Sequence, residues 1–302
     1  MAATCSSAPQ RRRNDVDLLI SPLQNDFMVR ALIAALLIGL VCSIVGVYVV
    51  LRNMSFIGDG LAHASFAGIV IAYLLKFDLY IGGLIFTILT ALGIGAVSKK
   101  SEVSLDTTIG VFFTAAFALG IALMSHVKNY VIDLQDFLFG NILAIDRKDI
   151  VIIALLTTVI LAVVALLYKE LLFASFDPIS AGASGLPVDG LSYLLLGILA
   201  VTIIVSLQAA GIVLVAALLV TPAATAYQLT NRFGPMMFIS AIVGMGSAIV
   251  GLYLSFYLNV ASGASIVLVA TACFFGAMIF SPKRRSLLTA LLDARRTAAR
   301  VK

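Results

Sequence analysis

The chain carries nine apolar runs, each about the length a helix needs to cross the hydrocarbon core of a bilayer. They fall at about 28–51, 56–75, 79–97, 107–126, 150–168, 189–207, 210–230, 234–257 and 263–281. The runs are too long for barrel strands, and they do not alternate polar with apolar residues as such strands must. Small residues recur in them at helical spacing, as in Gly110, Ala115 and Gly120, or Gly244, Gly246 and Ala248. Helices in lipid approach one another closely through such positions. Charged residues make up 12% of the chain, against roughly 25% in a soluble domain, so water is not the solvent for most of this surface. The expected fold class is all-α: a polytopic membrane helical bundle of about nine transmembrane helices. Eight are possible if one run is re-entrant or peripheral.

Three parts follow: an extramembrane or interfacial segment at 1–27, a transmembrane domain at 28–281 and a basic tail at 282–302. The first apolar run is too long and starts too far from the Arg11–Arg13 cluster for a cleaved signal peptide, so it reads as a retained span. Seven of the twenty Lys and Arg residues lie in the tail after Pro282, which marks a cytoplasmic flank. With nine spans and that tail inside, the inner segments also hold Arg52, Lys99, Lys100, Lys169 and Arg232. The outer ones hold Lys76, Lys128, Arg147, Lys148, Arg30 and the N-terminal arginine cluster, which conflicts with the positive-inside rule. No folded domain accompanies the basic tail, so nucleic acid is not an expected partner. The three cysteines, Cys5, Cys42 and Cys273, form no C-x-x-C pair, and neither a disulfide framework nor a thiolate metal site is supported.

Apart from Asp189, which opens the sixth run, Asp59 is the only carboxylate within these runs. A charge there costs at least a few kcal/mol, which makes it a functional candidate by default. His63 follows four residues later, so on a helix both side chains share one face about a turn apart. A carboxylate and an imidazole suit zinc, manganese or ferrous iron. Two ligands are too few for a tight site, but a two-fold dimer would bring two of each to its axis. On residue chemistry alone, a metal site, a structural hydrogen-bonded pair and a proton relay all stay open.

Other polar residues read more plainly. His126 closes the fourth run and is an interfacial histidine or a vestibule ligand. Gln208 is a packing or turn residue between two runs. Thr221-Pro222 reads as a kink or break within a run, with Thr221 and Thr225 serving the freed backbone groups. Asn53 reads as a cap just before the second span. Residues 127–149 form an outer segment with a short amphipathic helix at the pathway mouth. Residues 169–188 form an inner loop in which Asp177 and Pro178 start a short helix as N-cap and first residue, and Gly185 and Pro187 end it. There is no G-x-x-x-x-G-K-[ST] phosphate loop, no H-E-x-x-H and no G-x-S-x-G. If ATP drives this protein, another chain binds it.

Four segments together resemble the permease subunits of bacterial ATP-binding-cassette importers for zinc and manganese. They are LRNMSFIGDGLAHASFAG at 51–68, LFGNILA at 138–144, FDPISAGASGLPV at 176–188 and SLQAAGIVLVAALLVTPAATA at 206–226. Their order and spacing fit over about residues 25–285. More distantly the layout is similar to cobalamin and siderophore importer permeases, which supports nine spans with the N-terminus outside. The resemblance implies a multi-pass protein of the bacterial cytoplasmic (inner) membrane, surrounded by lipid, that acts as a permease and not as an enzyme. It implies a homodimer docked on two copies of a cytoplasmic ATP-binding subunit and supplied by an extracytoplasmic metal-binding protein. Metal coordination falls on Asp59 and His63. ATPase coupling falls on the helix from about Phe176 to Leu186, with Phe176, Asp177, Pro178, Ala181, Gly185 and Leu186 as its marked residues. No cofactor is bound permanently, and the cargo is Mn²⁺ or Zn²⁺, with manganese favoured by the LFGNILA wording. The rival from another class is a proton-coupled secondary carrier using Asp59 and His63 as its relay, which would need no ATPase.

Overall fold

The structure is a computed structural model and describes residues 22–126, 140 and 142–281. The expected amphipathic helix of the outer loop, the start of LFGNILA, nearly all of the N-terminal segment and the basic tail lie outside the described residues. Ten α-helices make up the described chain: α1 Asp26–Leu51, α2 Ile57–Leu74, α3 Leu79–Lys100, α4 Leu105–Met124, α5 Arg147–Leu166, α6 Tyr168–Phe176, α7 Pro178–Ala183, α8 Val188–Leu229, α9 Phe233–Leu258 and α10 Ser262–Phe280. All but α6 and α7 are long and apolar enough to cross a membrane, which makes eight.

One of the eight is two spans. A straight helix of the 42 residues of α8 would be about 63 Å long, twice the hydrocarbon thickness. It breaks at a single residue, Gly211, with φ 74° and ψ 166°. Gln208, just before the break, donates to Asp149 at the start of α5 (3.2 Å). Both ends of α8 lie at the opposite side of the bundle. Asp189 pairs with Lys99 at the end of α3, and the Gln228 carbonyl accepts from Ser281 at the end of α10. The chain therefore crosses, reverses at Gly211 and crosses back. The nine expected spans are all present, with the sixth and seventh fused. Thr221-Pro222 is not a break: Gly211 is the only residue with non-helical dihedrals inside α8, and Thr225 simply donates to the Thr221 carbonyl (2.7 Å).

Side-chain oxygens start several helices. Asp78 caps α3 through the amides of Tyr80 and Ile81, both at 3.0 Å, and Asp146 and Asp149 form a reciprocal capping box on α5. Helix α1 ends in a left-handed cap: Asn53 has φ 54°, and the Met54 amide returns to the Val49 carbonyl (2.9 Å). Asn53 thus ends the first span and does not begin the second, whose N-cap position is Phe56.

Helices α1, α2 and both limbs of α8 are buried for the most part, and α3, α4, α5 and α10 surround them. Contact is close enough to require small residues. A Cβ on Gly46 of α1 would fall 1.8 Å from the Leu219 carbonyl oxygen of α8. Ser240 of α9 donates to the Ser43 carbonyl of α1 (2.8 Å), an interhelical bond of the kind that holds helices in lipid. The outer surface is as apolar as the core, with Leu89, Leu155, Leu166, Phe238, Leu268 and Phe280 among the exposed side chains. A helix bundle that is apolar all round belongs in lipid.

Candidate metal site

Helix α2 starts within the bundle. Gly58 packs against Ala216 and Leu219, and Leu219 lies about 12 Å along its limb from Gly211 and about 15 Å from Leu229. Asp59 follows Gly58, so the carboxylate lies inside the bundle, nearer the end that bears Arg52: Gly46 of α1, packed on the same Leu219, is five residues from Leu51 and twenty from Asp26. From Ile57 to Gly68 every residue of α2 is buried except two, Asp59 and His63. They occupy the one open side of an enclosed helix. The small residues around them account for this: Gly60 lets Ile109 of α4 come close, and Gly68 lets Phe86 and Gly82 of α3 come close.

The pair has a defined geometry. His63 donates from Nδ1 to the Asp59 backbone carbonyl (2.9 Å), and the same nitrogen is 3.3 Å from Asp59 Oδ1. The histidine side chain is 16% exposed and the aspartate 47%, so the carboxylate looks outward from this copy while the ring is held. Two phenylalanines hold it. Phe113 and Phe117 of α4 meet the imidazole edge-on, with ring centroids at 4.9 and 5.2 Å. With Nδ1 engaged by a carbonyl, Nε2 is the nitrogen free to ligate, and a carbonyl on the second nitrogen is the usual way a ligating histidine is oriented. Among the described residues no group of three or more His, Cys, Asp or Glu could hold a metal ion. Among the described residues Asp59 and His63 therefore stand as a pair without a third such side chain.

The remaining sequence candidates separate clearly. His126 lies beyond the end of α4, exposed, with Nδ1 on the Ala122 carbonyl (3.0 Å), and is not brought to Asp59. Gln208 is the turn contact described above. Cys42 is buried beside Ser206 and Cys273 is exposed, so the two are not paired. The inner loop folds as its sequence predicts. Asp177 accepts from the Ser180 amide (3.0 Å), Pro178 is the first residue of α7, and Gly185 at φ 85° ends it, with the Leu186 amide on the Ala181 carbonyl (3.2 Å). Hydrogen bonds donated by the Ser180 hydroxyl and amide hold the Asp177 carboxyl below the ordinary carboxylate range. Ala181 is fully buried and faces the bundle, while Phe176 and Ile179 are 61% and 84% exposed.

Nine spans, an Asp–His pair inside the bundle and a capped helix on one face make up the architecture. The model of the ABC 3 transport family matches residues 24–281. The chain belongs to the ABC 3 transport family. This ABC 3 permease is 45% identical over 262 residues to the manganese transport system membrane protein MntC of Halalkalibacterium halodurans, which covers 87% of this chain and 90% of that one. Among solved structures, PsaBC from Streptococcus pneumoniae in complex with Fab matches with a TM-score of 0.81 at 35% identity, over 92% of the permease and 100% of that chain. An inward-facing metal-chelate type ABC transporter matches with a TM-score of 0.67 over 91% of each chain. At 16% identity that likeness shows the fold alone. The permease is a multi-pass membrane subunit of a bacterial transport system and is not itself the ATPase.

Four residues with a place in this geometry were not singled out from the sequence. Arg52 counted there only as an inner-loop charge, and Ile179 lay unmarked inside the coupling segment. Phe113 and Phe117 did leave a signal: they repeat the four-residue spacing of Asp59 and His63 on the helix that faces α2.

Proposed function

We propose that this permease carries a divalent transition-metal ion into the cell, manganese before zinc, by alternating access driven by a separate ATPase. The observation that carries the reading is the isolation of Asp59 and His63 as the two residues not buried between Ile57 and Gly68 of α2. A lone ionisable pair inside a bundle that spans lipid is costly unless it serves the transported species. Hard carboxylate oxygen with imidazole nitrogen, and no thiolate, fits manganese or zinc and disfavours a soft ion. Manganese is favoured because the relative from Halalkalibacterium is named for it.

Two copies meeting across their second spans complete a four-ligand site. In each copy Asp59 supplies charge and His63 nitrogen. An extracytoplasmic binding protein releases the ion at the face that bears Asp149 and Gln208. Two copies of an ATP-binding subunit dock at the opposite face, against α7. ATP binding there moves the 176–186 segment and reopens the bundle inward.

The test is uptake of radiolabelled manganese by cells or vesicles holding the permease with its ATPase. Asp59→Ala is expected to reduce uptake to background while the permease–ATPase complex still purifies intact. Uptake at the wild-type rate in that variant, or uptake indifferent to ATP but driven by a proton gradient, overturns the proposal.

A further inference from the structure

Arg52 joins the two working parts of the molecule. It sits at the C-cap of α1, and residues 53–56 alone separate it from the helix that carries Asp59. Its guanidinium reaches the other way, to both flanks of the coupling segment. Nε donates to Ser175 Oγ at 2.9 Å, two residues before the N-cap of α7. Nη1 donates to Ser192 Oγ at 3.1 Å, in the second turn of α8 just beyond Gly185 and Pro187. Ser175 is itself anchored, donating to the Leu171 carbonyl (2.6 Å). The third nitrogen, Nη2, is buried and has no hydrogen-bond partner among the described residues. All of this lines a cavity of about 450 Å³ that Met54, Lys99, Pro178 and Asp189 also face.

A planar fork bonded at two corners fixes the relative position of what it grips more strictly than a point charge does. Here it grips the chain before α7 and the chain after it. Its own backbone ends in the left-handed turn at Asn53 that feeds α2. A shift of the coupling segment must therefore either break both serine bonds or carry the α1–α2 turn with it. The unpartnered Nη2 is a costly feature in one arrangement, and it gives the guanidinium a donor to engage in another.

We propose that Arg52 is the positioning residue that transmits movement of the 177–187 segment to the Asp59-bearing span. The proposal rests on reading α7 as the ATPase-docking helix. The experiment uses the full permease–ATPase complex in vesicles with Arg52→Ala, Arg52→Lys and the double variant Ser175→Ala/Ser192→Ala. Four quantities are measured: ATPase co-purified, manganese bound, ATP hydrolysed and manganese imported. In Arg52→Ala the first three are expected to stay near wild type while ions imported per ATP fall by roughly tenfold. Lysine restores only part of the ratio because one ammonium cannot reproduce the fork. The double serine variant, with Arg52 intact, lowers the ratio in the same direction. An unchanged ratio in Arg52→Ala overturns the proposal, as does an unchanged ratio in the double serine variant, which decides the matter if Arg52→Ala fails to assemble. Failure of the wild-type permease to retain the ATPase would sink the docking reading instead.

Discussion

At the scale of single residues, the geometry of the proposed site depends on what lies beside Asp59 and His63 as well as on the pair. Asp59 and His63 lie on adjacent turns, but the ring is oriented by the Asp59 carbonyl and by two phenylalanine edges. His63→Ala is expected to weaken manganese binding by roughly tenfold or more, read by metal titration of the purified complex. Phe117→Ala removes no ligand and is expected to fall between that variant and wild type in the same titration. Affinity equal to wild type would show that the aromatic edges do not position the ring. The Asp59–His63 pair itself was legible in the sequence as a candidate, because a charge inside an apolar run needs a reason. The phenylalanines were not, because an aromatic in an apolar run does not.

At the scale of elements, backbone conformation decides more than propensity. Gly211 occupies a region of φ and ψ that is essentially closed to other residues. Gly140, at φ 65°, lies so close to Ala210 and Gly211 that a Cβ would fall 2.4 Å from their backbone atoms. Gly211→Ala is expected to destabilise the fold by about 1–3 kcal/mol, seen as a lower thermal midpoint and a lower folded yield in detergent. Pro222→Ala, inside a continuous limb, is expected to keep yield and assembly. The opposite ranking would place the reversal at the proline. Helix α7 shows the reverse case, in which local signals sufficed: an Asp cap, a first-position Pro and a terminal Gly formed the helix they announce. The sign of its cap's pH dependence follows from the lowered Asp177 carboxyl. Its contribution is complete above the ordinary carboxylate value and is lost as pH falls through the lowered one, so neutral and mildly acidic media leave the helix capped.

At the scale of the whole molecule, the two ends of the bundle carry different work. The end with Asp26, Asp146, Arg147 and Gln208 is knit by ion pairs and hydrogen bonds between α1, α5 and α8. The other end presents α7, with Ile179 as its most exposed apolar side chain. Ile179→Glu is expected to abolish co-purification of the ATPase while leaving manganese binding intact. Retention of the ATPase would move docking elsewhere. If Asp59 and His63 form half of the proposed site, the purified complex is expected to hold one ion per two permease chains by elemental analysis. One ion per chain would show that the site closes within a single copy.

Nine spans, the lone Asp–His pair and the short capped helix were fixed by composition and local chemistry: lipid demands long apolar helices, a buried charge stands out against them, and caps act within one turn. The tertiary structure decided the rest. It fused the sixth and seventh spans through Gly211, against which Gly140 packs, and left Pro222 inside a continuous limb with no break. It turned Asn53 from the start of one helix into the end of another. It also brought Arg52 to Ser175 and Ser192, more than a hundred residues away along the chain, a contact that no pattern in the sequence announces because only the packing of α1 against α6 and α8 creates it.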